Sequence, residues 1–132
     1  PNPTHLAARA EQFNWKLPYS GYFGGVTIFD RESFQKINGY ANDYWGWGAE
    51  DDDVFRRCHV RGVKTSRKNG KYKSLAHARN IDHGEYEKNV KKLQAFQIAS
   101  ARGEILEGLD TLEYEILNVQ ENDNYTKITV KI

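Results

Sequence analysis

Residues 44 to 55 read YWGWGAEDDDVF and place Glu50, Asp51, Asp52 and Asp53 directly after Trp45 and Trp47, with Gly46, Gly48 and Ala49 as the only small residues between them. Carboxylates at a helix N-terminus are ordinary, because the unpaired N–H groups and the helix dipole favour negative charge by ~0.3–1 kcal/mol per residue. Two acids would satisfy that need. Four adjacent ones repel one another, and successive helical residues point about 100° apart, so they cannot all serve one cap. At least one faces a different task. A carboxylate near a helix start and crowded by like charges can be poised as a general base, and a tryptophan just upstream offers an apolar wall on which a sugar ring stacks. A charged helix start and a sugar site both remain open at this level.

The elements that must position these residues can be read from periodicity and punctuation. The spacing predicts a helix from about Glu50 to Val60, ended by Gly62 and entered through the glycine-broken loop NDYWGWGA. Upstream, residues 4 to 13 fit a short helix or surface turn. Tyr22 to Phe29 reads as a buried strand, with Gly24 and Gly25 where backbone bends or something comes close. Asp30 is a plausible N-cap for RESFQKING, closed by Gly39. Downstream, residues 63 to 76 predict short strands around an Asn69–Gly70 hairpin turn, and His77 to Gly84 a polar loop. Residues 85 to 102 predict a helix with Val90, Leu93, Phe96 or Gln97, and Ile98 at helical spacing, and the alternation in LEYEILNV and YTKITVKI predicts a closing β-hairpin.

With 132 residues, 39% hydrophobic and 28% charged, the chain suits one domain with one modest core, residues 1–132. Its 13% aromatic share is high for so polar a chain. Net charge of +1 argues against a general polyanion binder, although residues 54 to 81 hold nine Lys or Arg and no Asp or Glu. The single Cys58 excludes an internal disulfide, and no Cys/His zinc spacing occurs. No apolar run approaches the ~20 residues that span a bilayer, nothing at the start reads as a signal peptide, and the Pro1 start with no methionine suggests a piece of something longer.

The segment LPYSGYFGGVTIFDRESFQKINGYANDYWGWGAEDDDVFRR closely resembles the beta-1,4-galactosyltransferase family, whose signature runs FGG, then INGF or INGY, then WGWGGEDDD. The resemblance continues through RGVKTSR, LAHAR and GLDTLEYEILNVQENDNYTKITVKI, covering nearly the whole chain. It implies an α/β architecture, the C-terminal half of a GT-A-type nucleotide-sugar transferase fold, with a mixed sheet, flanking helices and the C-terminal β-hairpin. The implied reaction is inverting transfer of a galactose-like sugar from a UDP-sugar to an acceptor sugar hydroxyl, with Mn2+ assisting departure of UDP. By motif position Asp51 corresponds to the catalytic base, and Glu50 and Asp52 to ligands of substrate hydroxyls. Trp47 corresponds to a gating ring with Gly46 and Gly48 as hinges, and Tyr19, Tyr22, Gly25 and Tyr44 to the cleft lining. His77 corresponds to a metal ligand; His5, His59 and His83 are read as surface histidines.

The pattern also departs from the family. Ser74 and Arg79 stand where a second metal ligand is usual, Ala49 replaces the final glycine of WGWGG, and Lys92 and Leu93 alter the acceptor-pocket helix. The donor-binding half with its DxD metal motif has no counterpart; the only D-x-D lies within the acidic cluster, Asp51 and Asp53. The chain is thus expected to act as a catalytic half-domain, with UDP-sugar and acceptor saccharide as ligands and a missing N-terminal half or partner chain. The alternative is a non-catalytic carbohydrate-binding or interaction module. A hydrolase fits poorly, because adjacent residues on one helix do not straddle a glycosidic bond at about 5–9.5 Å. Nucleic-acid binding is disfavoured by the near-zero net charge. Golgi lumen, as in animal relatives, and microbial cytoplasm are both compatible.

Overall fold

The structure, a computed structural model, describes residues 2–75 and 82–132. Short strands β1 (Thr4–His5) and β2 (Arg9–Ala10) lead into a 3-10 turn at Glu11–Phe13, then β3 (Thr27–Ile28) and helix α1 (Arg31–Lys36). Helix α2 (Glu50–Val60) is followed by β4 (Ser66–Arg67), β5 (Lys71–Tyr72) and the long helix α3 (His83–Ser100). A second 3-10 turn at Leu109–Thr111 precedes β6 (Glu115–Asn122) and β7 (Tyr125–Lys131). The three-stranded sheet β3–β1–β4 is mixed, with β1 antiparallel to β3 and parallel to β4, and β2 and β5 form a separate parallel pair. This is the α/β arrangement with flanking helices and a terminal hairpin that the sequence predicts.

Three expectations for the sheet region are corrected. The segment 4–13 is not a helix, because β1 is claimed on both sides by distant partners: Thr4 pairs with Ile28 and Ser66, and His5 with Thr27 and Arg67. Of the strand expected from Tyr22 to Phe29, only Thr27–Ile28 is paired; Gly25, at φ +82°, breaks the extended run and leaves Tyr22 and Gly24 to line a cleft. The Asn69–Gly70 turn does not close a hairpin. Its flanking strands pair instead with β1 and β2, so long-range parallel pairing overrides the local turn signal.

The helices follow their local chemistry closely. Asp30 caps α1 by accepting from the Ser33 amide at 2.9 Å, and Asn38 and Gly39 end it in left-handed conformations. Helix α2 spans the predicted residues. Helix α3 begins two residues before Glu85, because Asp82 caps it by accepting from Gly84 and Glu85 amides at 2.8 and 3.1 Å. Its buried face is Asn89, Phe96, Ala99 and Ser100, whereas Ile98, expected on the apolar face, is exposed. The core is small: Phe23, Ile37, Val54 and Cys58, with Phe29, Phe55 and Val63 packed on it.

A buried ion pair joins the pieces around that core. Arg57 Nε donates to Asp53 Oδ1 at 2.5 Å, and both side chains are almost fully buried. The Arg57 Nη1 donates to the carbonyls of Glu107, Asn38 and Gly39 at 2.7, 3.3 and 3.4 Å. The guanidinium also lies 5.4 Å from the centre of the Phe96 ring on α3. One side chain therefore ties α2 to the end of α1, to the segment before the second 3-10 turn, and to α3.

Candidate functional site

The first turn of α2 sorts its four acids by direction. Asp53 points inward to Arg57 and also accepts from the Tyr44 hydroxyl at 3.1 Å. Burial pushes its carboxyl up, opposed by the guanidinium. Glu50, Asp51 and Asp52 point the other way and line a cleft of about 850 Å³. The acid that a cap does not need is thus separated from the acid the fold uses.

Around those three carboxylates the cleft gathers Tyr19, Tyr22, Gly24, Gly25, Trp47, Gly48, Ala49, Ser74, Tyr86, Val90 and Leu93, with Gln12, Phe13 and Pro18 at one side. Asp51 sits over the backbone of Gly24: a Cβ there would fall 2.8 Å from Asp51 Oδ2, so a side chain at position 24 would displace the carboxylate. Tyr19 and Tyr22 lie near these carboxylates, with the Tyr19 hydroxyl donating to Asp52. Burial raises both phenols and the Asp51 charge adds to it, so both stay protonated as donors. Burial also raises the Asp52 carboxyl, with Asp51 and Glu50 contributing, although Tyr19 opposes the shift. Beyond Tyr19, Asp52 and Leu93 a second cavity of about 450 Å³ opens between α2 and α3.

The tryptophan loop enters α2 through left-handed backbone. Gly46, Gly48 and Ala49 have φ of +71°, +106° and +77°. Ala49, substituted for glycine relative to the resembled motif, therefore occupies a left-handed position that disfavours a side chain. Trp47 remains half exposed over the cleft, its ring 5.4 Å from that of Tyr86 at a 38° tilt.

The cleft brings together Asp51, Glu50, Asp52, Trp47, Tyr22, Gly25, Tyr19 and Leu93 of the predicted residues. Tyr44 and Lys92 do not line it. Tyr44 is engaged by Asp53, and Lys92 lies over the Tyr44 ring at 5.8 Å while its ammonium bonds to the Asp43 carbonyl and reaches the Asp43 carboxylate at 3.2 Å. His77 lies outside the described residues. His59 and His83 are exposed as expected, but His5 is fully buried, a correction with a physical cause. It is paired into the centre of the sheet, with Nε2 at 2.8 Å from the Gly24 carbonyl and its ring against Tyr22 and Phe23. Sequence reasoning also passed over Tyr86 and Asn89. The only available signal was their spacing from Leu93, i and i+3 to i+7 on one helix face.

No group of three or more His, Cys, Asp or Glu that could hold a metal comes together among the described residues. The D-x-D at Asp51 and Asp53 cannot serve, since Asp53 is committed to Arg57 and Tyr44.

The architecture is that of galactosyltransferase catalytic domains of the GT-A type. It matches the catalytic domain of Drosophila beta-1,4-galactosyltransferase 7 in complex with xylobiose, with a TM-score of 0.62 and 26% identity over 97% of this chain and 56% of that one. A mutant of that Drosophila protein in complex with manganese, UDP-Gal and xylobiose matches with a TM-score of 0.60 and 25% identity over 98% and 56%. A family model described as the N-terminal domain of galactosyltransferase matches residues 4–83, and the chain belongs to the galactosyltransferase family. Human beta-1,4-galactosyltransferase 1 is 42% identical over 98% of this chain and 32% of its own length. Beta-1,4-galactosyltransferase 4 of Cricetulus griseus is 43% identical over 97% and 37%. The chain thus spans about a third of the length of these curated relatives.

Proposed function

We propose that this chain is the acceptor-binding, catalytic C-terminal half of an inverting UDP-sugar-dependent galactosyltransferase, with Asp51 as its base. One observation carries the reading. Asp51 is one of three acids of the α2 first turn, with Glu50 and Asp52, that the fold leaves inside an aromatic cleft, and it lies between them over Gly24, while Asp53 is withdrawn into an ion pair. A sugar ring laid against Trp47 presents its hydroxyls to Glu50, Asp51 and Asp52. Asp51 accepts the proton of the attacking hydroxyl. The hydroxyl oxygen then bonds to the anomeric carbon of the donor as the bond from that carbon to the diphosphate oxygen breaks, inverting the configuration and releasing UDP. Glu50 and Asp52 hold neighbouring hydroxyls as acceptors, which fixes the attack angle.

The donor side lies with sequence that this chain does not supply, either an N-terminal half or a partner chain. The Drosophila relative was solved with manganese and UDP-Gal, and the complete enzyme proposed here uses both. His77 is this chain's contribution to the metal, which would offset charge on the departing diphosphate.

The test is titration calorimetry of the chain with xylose and with N-acetylglucosamine, followed by transfer assays of the complete protein with Asp51→Asn. Acceptor binding with transfer reduced at least ~100-fold by the substitution is expected. Transfer that survives Asp51→Asn would remove Asp51 as the base. Sugar binding by a complete protein that never transfers would favour the second reading, a carbohydrate-binding module.

A further inference from the structure

The wall of the cleft from Ser20 to Gly24 belongs to no strand, and side chains take the place of a neighbouring strand in satisfying its carbonyls. Thr27 Oγ1 donates to the Phe23 carbonyl at 2.9 Å and His5 Nε2 to the Gly24 carbonyl at 2.8 Å. Arg67 Nη2 donates to the carbonyls of Ser20 and Tyr22 at 2.6 and 3.1 Å. A carbonyl only accepts, so the His5 proton sits on Nε2; burial, with the Arg67 charge beside it, favours that neutral ring.

The donors come one from each strand of the sheet β3–β1–β4 and stand in a single row. His5 pairs with Thr27 on one side and with Arg67 on the other. Directly paired residues share a face, so the row presents its side chains together to one segment. That segment carries the seat of the acidic cluster. Gly24 lies between the Tyr22 ring and the Asp51 carboxylate: a Cβ there would fall 3.0 Å from Tyr22 Cε2 and 2.8 Å from Asp51 Oδ2. Movement of the wall is therefore passed to the carboxylate by contact. Arg67 links the two sides a second way, because its guanidinium lies 5.3 Å from the centre of the Phe55 ring, one helical turn after Asp51 on α2.

We propose that the row Thr27–His5–Arg67 positions the cleft wall beneath Asp51, with Arg67 as the positioning residue that joins the wall to α2. The inference rests on the reading of Asp51 as the base but concerns residues which that reading does not use. Arg67 does not line the cleft; it acts through the backbone that carries Tyr22 and Gly24.

The experiment uses the complete protein and compares wild type with Arg67→Met, Arg67→Lys, Gly24→Ala and the double variant of Arg67→Met with Gly24→Ala. Methionine keeps bulk against Phe55 but has no donor, whereas the lysine ammonium replaces the single nitrogen that makes both bonds. In Arg67→Met kcat should fall about 10-fold with KM for the UDP-sugar changed less than about 2-fold, and Arg67→Lys should recover most of the loss. Arg67 is exposed, so the thermal midpoint should scarcely change. Gly24→Ala displaces the Asp51 carboxylate by itself, and on that background Arg67→Met should cost less than about a further 2-fold, because both changes act on one contact. Losses that multiply in the double variant, or a kcat that Arg67→Met leaves unchanged, overturn the proposal. The Gly24 amide, followed by NMR in 15N-glycine-labelled protein and assigned through Gly24→Ala, gives a reading without activity: its heteronuclear NOE should fall in Arg67→Met and be kept in Arg67→Lys. If wild type transfers no sugar while the Gly24 signal still depends on Arg67, the assignment of Asp51 as base fails and the positioning of the wall stands.

Discussion

At the residue scale, the acidic cluster shows how one short run divides between folding and chemistry. Asp53 and Asp51 are two positions apart on a helix, so they project to different sides; one meets Arg57 in the interior and the other meets the cleft. Ala49 shows the opposite situation, a residue at odds with its backbone. At φ +77° directly before α2, it carries a strain that glycine would not. Ala49→Gly is expected to stabilise the protein by about 1 kcal/mol, read as a higher urea midpoint with unchanged slope. No gain would mean that the buried methyl contributes packing equal to the strain.

At the element scale, the site depends on how α2 and α3 are fastened. Arg57 ties α2 to three other segments from one position, and its partner Asp53 is nine-tenths or more buried. Removing the guanidinium alone leaves a buried carboxylate without its ion pair. Arg57→Met should therefore cost about 3–5 kcal/mol. Adding Asp53→Asn should recover part of that loss, because the orphan charge is gone, and urea titration of the single and double variants measures it. If both variants unfold at the same midpoint, the penalty comes from the lost carbonyl contacts and not from the charge. The hairpin β6–β7 is the counterexample: every residue in it is exposed, so it stands by its own ladder of pairs and positions nothing in the cleft.

At the scale of the whole molecule, stability is coupled to pH through the centre of the sheet. His5 is enclosed by Tyr22, Phe23 and the Gly24 carbonyl, and burial lowers its pKa below the ordinary 6.5. The unfolded chain therefore binds a proton at His5 at a higher pH than the folded one. Its contribution is complete above about pH 7 and is lost as pH falls through 6.5 toward the folded value. His5→Gln keeps a donor for Gly24 but does not titrate. The stability advantage of wild type over this variant should shrink between pH 7.5 and pH 5, measured by chemical denaturation at each pH. A constant difference would show that His5 keeps its ordinary pKa in the fold.

What the sequence by itself determined is the local chemistry. Asp30 and the acids of α2 mark helix starts, Gly39 and Gly62 mark stops, and the alternation in 114–131 marks the hairpin, because caps, turns and periodicity act over a few residues. The grouping of Asp51, Trp47, Tyr19 and Tyr22 was legible only through the family resemblance, which assigned all four to one cleft. Only the tertiary structure decided the pairing of β1 with β3 and β4, the burial of His5, the withdrawal of Tyr44 and Lys92 from the cleft, and the contact of Tyr86 with Trp47. Each joins residues far apart in the chain. No local propensity encodes such a contact, because its free energy exists only once the core has brought the two segments together.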